Sequence, residues 1–192
     1  MPRMVDAMST LAEHVEAEAC PHLAVFLPSA DALPELLVSF YSLGVRRGGW
    51  LAHRALPGGT GYERRTLTEA GLDVTALETA NRMVIVELDF DVPPERSTDR
   101  WRAELDDALA RGCTGLWYAR FPVNPGEPGY DAVLGYEREW HGTFRDRPVV
   151  TICPFIVAGV PGPAMLDTLT DVSESHTGVL IPEAGGGYRQ LR

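Results

Sequence analysis

Glu137 is a carboxylate on a helix face otherwise made of Tyr130, Val133, Leu134, Tyr136, Trp140 and Phe144, which share one arc at about 100° per residue. Burying an unpaired charge is costly, so this group has to be paired, protonated or in contact with a ligand or water. Arg120 ends an earlier apolar run and is the expected partner, because a guanidinium engages a carboxylate through two bonds. After the turn RDRP, the run VVTICPF carries Cys153 near its C-terminal end, the edge where open α/β sheets place ligands. Cys153, His176 and Glu137 would supply a thiol, a base and an orienting acid, the set a cysteine nucleophile needs, but no GxSxG elbow accompanies them. His176 is read on the inner stripe of the last helix with Met165, Leu169 and Val172, which directs it toward the sheet edge opposite Cys153.

Other constellations have plainer readings. Cys20-Pro21-His22 and Cys153-Pro154 resemble the Cys-Pro pairs of thiolate-ligated haem sites, yet a buried free cysteine usually acts as a small hydrophobe. Glu87, Asp89 and Asp91 share one strand face, but one strand supplies too few oxygen ligands for a hard cation, so they read as a solvated strand end. Neither GxxxxGK[ST] nor GxGxxG is present: PGGTG at 57–61 has no lysine, and the first strand runs into Pro28-Ser29-Ala30. A nucleoside triphosphate site is not expected.

The elements that must hold these residues alternate. Strands are expected at His22–Leu27, Trp50–Leu56, Arg82–Phe90, Thr114–Phe121, Val149–Phe155 and over GVLI at 178–181. Helices fall between them at Asp31–Val45, Tyr62–Ala70, Thr98–Arg111, Tyr130–Phe144 and Ala164–His176, with Gly44, Gly48, Gly71 and Gly112 as helix-ending glycines. Such βα units imply an α/β fold with a mainly parallel sheet covered by helices on both faces. Residues 1–19 form an amphipathic helix with Val5, Met8, Leu11, Ala12, Val15 and Ala19 on one side, fitted to cap its own domain or to pair with a second copy. Residues 20–182 make the domain, and 183–192 a polar tail.

With 192 residues, one core suffices. A net charge of -10 argues against a direct nucleic-acid partner, which needs a basic stripe. Three cysteines at 20, 113 and 153 give no close-spaced metal pair and no even disulfide set, so they read as reduced thiols. Acidic residues interrupt the N-terminal segment and no apolar run approaches the ~20 residues of a membrane span, so a cytoplasmic protein is expected, with no membrane partner.

Taken in order, His22 opening the first strand, LGVRRGG, AGLDVTALETANRMVIVE, ALARGCTGLWYARF, LGYEREW, VVTICPF and SHTGVLI resemble the MEDS domain, the sensory domain of dichloromethane-responsive, methanogen and methylotroph regulators. The resemblance runs from about His22 to Ile181 and implies a RecA/KaiC-like core without a phosphate loop that senses a small, hydrocarbon-like molecule. Where the family has GLxxGE this chain has Gly44-Val45-Arg46-Arg47-Gly48-Gly49, and Pro154 replaces the polar residue that commonly follows the strand cysteine. With no helix-turn-helix or kinase segment in the sequence, output is expected through a separate regulator or kinase, or through self-association as a homodimer.

The resulting expectation is a non-enzymatic sensor. Its pocket lies at the C-terminal edge of the sheet and is lined by His22, Tyr118, Arg120, Glu137, Trp140, Cys153 and His176. No cofactor or metal is assigned to it.

Overall fold

Strands buried on both faces show as unbroken apolar runs, and this is how the sheet begins. In the computed structural model, which describes residues 11–15, 20–183 and 187–191, β1 (His22–Leu27) and β2 (Trp50–Ala55) are buried at every position. They are joined in the sheet by β3 (Met83–Glu87), β4 (Leu116–Arg120), β5 (Val149–Ile156), β6 (Gly178–Pro182) and β7 (Tyr188–Leu191). The order is β3-β2-β4-β5-β1-β6-β7, with all pairs parallel except β6 with β7. The mainly parallel α/β sheet is as expected and is consistent with a RecA-like arrangement. The edge strand β7, however, forms within the segment read as a polar tail.

Alternation along the strands divides the core in two. Leu23, Val25, Leu27, Leu51 and Ile152 face α1 (Leu33–Arg46), α2 (Thr60–Glu69) and α3 (Val74–Thr79) across a mostly aliphatic layer. The opposite face, under α4 (Pro94–Ala110), α5 (Tyr130–Phe144) and α6 (Gly162–Ser173), is aromatic and carries most of the buried ionisable groups. The bounds of α5 are those expected. α3 was not anticipated; the Asp73 carboxylate caps it by accepting from the Ala76 N–H.

Two glycines do different work. Gly48 takes a positive φ of 75° just past α1, as a helix-ending glycine does. Gly44, also expected to end that helix, instead lies inside it, where a Cβ would come within 2.7 Å of Leu51 and 2.8 Å of Trp117. Its lack of a side chain lets α1 approach the sheet closely.

Residues 11–15 are helical, and Leu11 and Val15 are buried in the aliphatic layer of this same chain. His14 lies 3.1 Å from Gln190 beside β7. The described part of the N-terminal stripe therefore packs on its own domain, while Val5, Met8 and Ala19 lie outside the described residues. Among the described residues, no helix is long and apolar enough to cross a membrane. Glu87, Asp89 and Asp91 are exposed at the end of β3, matching the solvated strand end expected of them.

Candidate functional site

Strand register brings the chemistry together before any helix is added. Cys153 pairs with Ala24 of β1, and His22 with Thr151 of β5. Ala119 of β4 pairs with Ile152, so Arg120, the next residue, comes level with Cys153. Two-residue periodicity then turns His22, Arg120, Thr151 and Cys153 to the same face. α5 lies over that face and lowers Glu137 onto it, because its helical position falls among the buried Tyr130, Val133, Tyr136 and Trp140. His176 follows α6 in the connection to β6, where the Ser175 N–H donates to Val172 O and the chain turns back toward the sheet.

Glu137 is the hub. Its Oε1 accepts from Arg120 Nε in a short, fully buried ion pair. Its Oε2 lies 3.0 Å from His22 Nε2, accepts from Cys153 Sγ at 3.0 Å, and lies 3.8 Å from His176 Nε2. The Cys153 Sγ is also 3.3 Å from His22 Nε2, and the two imidazole rings sit 4.1 Å apart. Thus the single ligating atoms of His22, Glu137, Cys153 and His176 all lie within 4.8 Å of one another, a donor set able to hold a metal ion. Arg120 also gives Nη1 to the carbonyls of Phe121 and Pro154, while its Nη2 has no hydrogen-bond partner among the described residues.

Burial and charge act against each other here. Burial alone would raise the Glu137 carboxyl, but the Arg120 guanidinium and the contact with His22 hold it well below the usual carboxylate range. Burial, then the neighbouring Glu137 charge, pushes the Cys153 thiol well above its ordinary value. Burial and the proximity of His22 hold His176 well below the ordinary imidazole value. The cluster is therefore an ionised Glu137–Arg120 pair beside a protonated thiol and a neutral His176.

The aromatic layer continues beside it. Tyr118 stacks on Trp140 at 4.1 Å, and Trp140 Nε1 donates to Thr151 Oγ1 at 3.0 Å. Beyond the C-terminal ends of β2, β3 and β4 opens a cavity of about 280 Å³ with Leu88, Phe90, Val92, Phe121 and Val133 among its apolar walls. Its polar lining comprises Arg54, Tyr118, Arg120, Tyr136 and the exposed carboxylate of Asp89. Arg54 Nη2 donates to Ser97 Oγ at 2.8 Å, and its guanidinium lies over the Tyr136 ring. Arg54 Nε and Nη1, the hydroxyls of Tyr118 and Tyr136, and Arg120 Nη2 make no well-formed hydrogen bond among the described residues.

The seven expected residues thus divide rather than forming one pocket. Arg120 pairs with Glu137 as anticipated, though through Nε alone rather than two bonds, and Tyr118 and Arg120 line the cavity at the sheet edge. His22, Glu137, Cys153 and His176 instead form a closed cluster beneath α5, and Trp140 stacks on Tyr118. The expected helical position of His176 is corrected: α6 ends at Ser173, and the following turn carries His176 to Glu137 rather than to the far edge. Arg54 and Tyr136 escaped the sequence reading as cavity residues. Both faces of β2 are buried, so alternation along WLAHRA gave no warning that Arg54 faced the functional side.

The MEDS model, described as MEthanogen/methylotroph, DcmR Sensory domain, matches residues 21–177, which span every residue of the buried cluster. A comparison with curated proteins finds no match. With most of its length matched, the chain belongs to the MEDS family of sensory domains.

Proposed function

We propose that this domain senses a small hydrocarbon derivative bound in the cavity beyond β2, β3 and β4, and passes the signal to a separate output protein without catalysing a reaction. The observation that carries this reading is the double role of Arg120: it lines the cavity, and it is the ion-pair partner of Glu137. The walls suit a short apolar body. Arg54, Arg120 and two phenols suit an anionic or oxygen-bearing head, as in small-molecule sites where a few polar groups set orientation. A volume of about 280 Å³ favours a ligand of few heavy atoms. A head group engaging Arg120 Nη2 would compete with Glu137 for the guanidinium and so reach the sheet centre.

In the metal-free chain, the buried Cys153 thiol supports a sensor over a cysteine enzyme. Its S–H is donated to Glu137 and its pKa is raised, whereas a catalytic thiol needs a depressed pKa. A RecA-like core without a phosphate loop accords with the strand order and with β1 ending in a single 3-10 turn at Ala30–Ala32.

The test is a thermal-shift screen of short-chain carboxylates, the matched alcohols and the matched alkanes against wild type and Gly135→Leu. Gly135 borders the cavity and a Cβ there meets nothing within 4 Å, so leucine fills space without a backbone clash. Carboxylates should raise the melting temperature of wild type most, and the variant should lose the response while remaining folded. No response in wild type, or an equal response in both, contradicts the reading.

A further inference from the structure

We infer that His22 Nε2, Glu137 Oε2, Cys153 Sγ and His176 Nε2 form a four-coordinate site for a zinc-class divalent ion. The inference rests on the buried cluster alone and does not depend on the nature of the cavity ligand.

His176 carries the argument. Its Nδ1 lies 2.8 Å from Val172 O, a carbonyl that can only accept, so Nδ1 holds the ring proton and Nε2 presents a bare lone pair. That Nε2 is buried, directed at the cluster, and has no hydrogen-bond partner among the described residues. A buried acceptor without a donor is destabilising, a penalty that a cation at the centre of the cluster removes. The nearby donors are already engaged: Arg120 Nε and the Cys153 thiol both donate to Glu137. Fixing a metal-binding imidazole by giving its other nitrogen to a backbone carbonyl is the outer-shell arrangement of zinc histidines.

The spacing agrees. Bonds of about 2.0–2.3 Å to N, O and S place tetrahedral ligands roughly 3.3–3.7 Å from one another. The separations are 3.0 Å for His22 Nε2 to Glu137 Oε2, 3.0 Å for Cys153 Sγ to Oε2, 3.3 Å for Sγ to His22 Nε2, and 3.8 Å for His176 Nε2 to Oε2. All six separations lie within 4.8 Å, so the widest pair closes by at most about 1 Å when one ion bonds all four. Two imidazoles, one thiolate and one carboxylate are the nitrogen, sulfur and oxygen donors that zinc accepts, whereas calcium and magnesium require oxygen. Glu137 serves both neighbours, since Arg120 occupies Oε1 and leaves Oε2 to the ion.

Binding is balanced by proton release. The ion displaces the Cys153 thiol proton, which leaves to the buffer as a sulfur–metal bond forms, and it takes the lone pair of His22 Nε2, whose proton, held against the Glu137 carboxylate in the metal-free chain, shifts to His22 Nδ1. Two anionic ligands then offset the divalent charge, and four protein ligands close the coordination shell, the mark of a structural or regulatory ion.

The experiment is metal analysis of the full chain as purified, followed by cobalt titration of the chelator-treated protein. We expect about one zinc per chain and, with Co²⁺, strong visible bands of tetrahedral cobalt together with a near-ultraviolet thiolate charge-transfer band. The charge-transfer band should vanish in Cys153→Ser and persist in the Cys20→Ser/Cys113→Ser double variant, while His176→Ala should weaken cobalt binding at least tenfold. If the cysteine variant does not fold, X-ray absorption of the wild-type zinc protein decides the matter, with one sulfur at about 2.3 Å and the remaining ligands near 2.0 Å. Metal-free protein that takes up no cobalt, weak octahedral-type bands, or a charge-transfer band that survives loss of Cys153 would overturn the inference.

Discussion

The two faces of one sheet are built on opposite principles. Leu23, Val25 and Leu27 of β1 point into an aliphatic layer under α1, whereas His22 of the same strand opens the face holding Glu137, Arg120, Cys153 and His176. The aliphatic face has its own polar contacts, with His53 lying 3.0 Å from the Tyr41 hydroxyl and 3.4 Å from Glu63, but nothing there matches the cluster under α5. A core made for stability alone has no need of a buried arginine, a carboxylate and a thiol. Replacing buried ion pairs by apolar groups is often neutral or stabilising, so their concentration on one face is the feature on which the proposed function rests.

Substitutions separate the two faces, and the largest effect belongs to the charged one. Glu137→Gln leaves Arg120 buried without its counter-charge and should cost about 3–5 kcal/mol in urea unfolding. The same carboxyl sets an acid limit in chelator-treated protein. Its folded pKa is depressed, so its contribution is complete above the ordinary value of about 4.3 and is lost as pH falls toward the folded pKa. The Gln variant should lack that acid limb. On the opposite face, Leu23→Ala should cost about 2–4 kcal/mol through a core cavity, yet leave ligand and cobalt binding unchanged. Equal loss of binding in both variants would erase the distinction between the faces.

Smaller changes sharpen it. Gly135→Ala, within α5 and with open space at its Cβ, should stabilise the fold by about 0.5–1 kcal/mol while narrowing the cavity. Thermal melting and the carboxylate screen read the two effects separately. Smallest of all, Arg64→Ala breaks an ion pair with Glu78 on the solvent side of the aliphatic half and should change stability by less than about 1 kcal/mol.

Much of the charged face could be read from the sequence because helical periodicity is strict. Glu137 falls between Tyr136 and Trp140 on a stripe whose other members are apolar, so its burial followed, and Arg120 at the end of an apolar run was the cation within reach. Register did the rest for Cys153. His176 was not legible in the same way, since its place depends on α6 stopping at Ser173 and on a turn closed by a backbone bond to Val172, which no apolar period encodes. Arg54 was hidden by a strand buried on both sides. The edge strand β7 is four residues long and partly exposed, too short for alternation to stand out from a polar tail.

The central claim is that Arg120 connects the cavity to the buried cluster, and side-chain NMR of the arginine Nε–H groups tests it most directly. On titration with butyrate to saturation, the Nε resonances of Arg120 and Arg54 should move together while that of the surface residue Arg64 stays in place. A resonance of Arg120 that remains fixed throughout the titration would contradict the account.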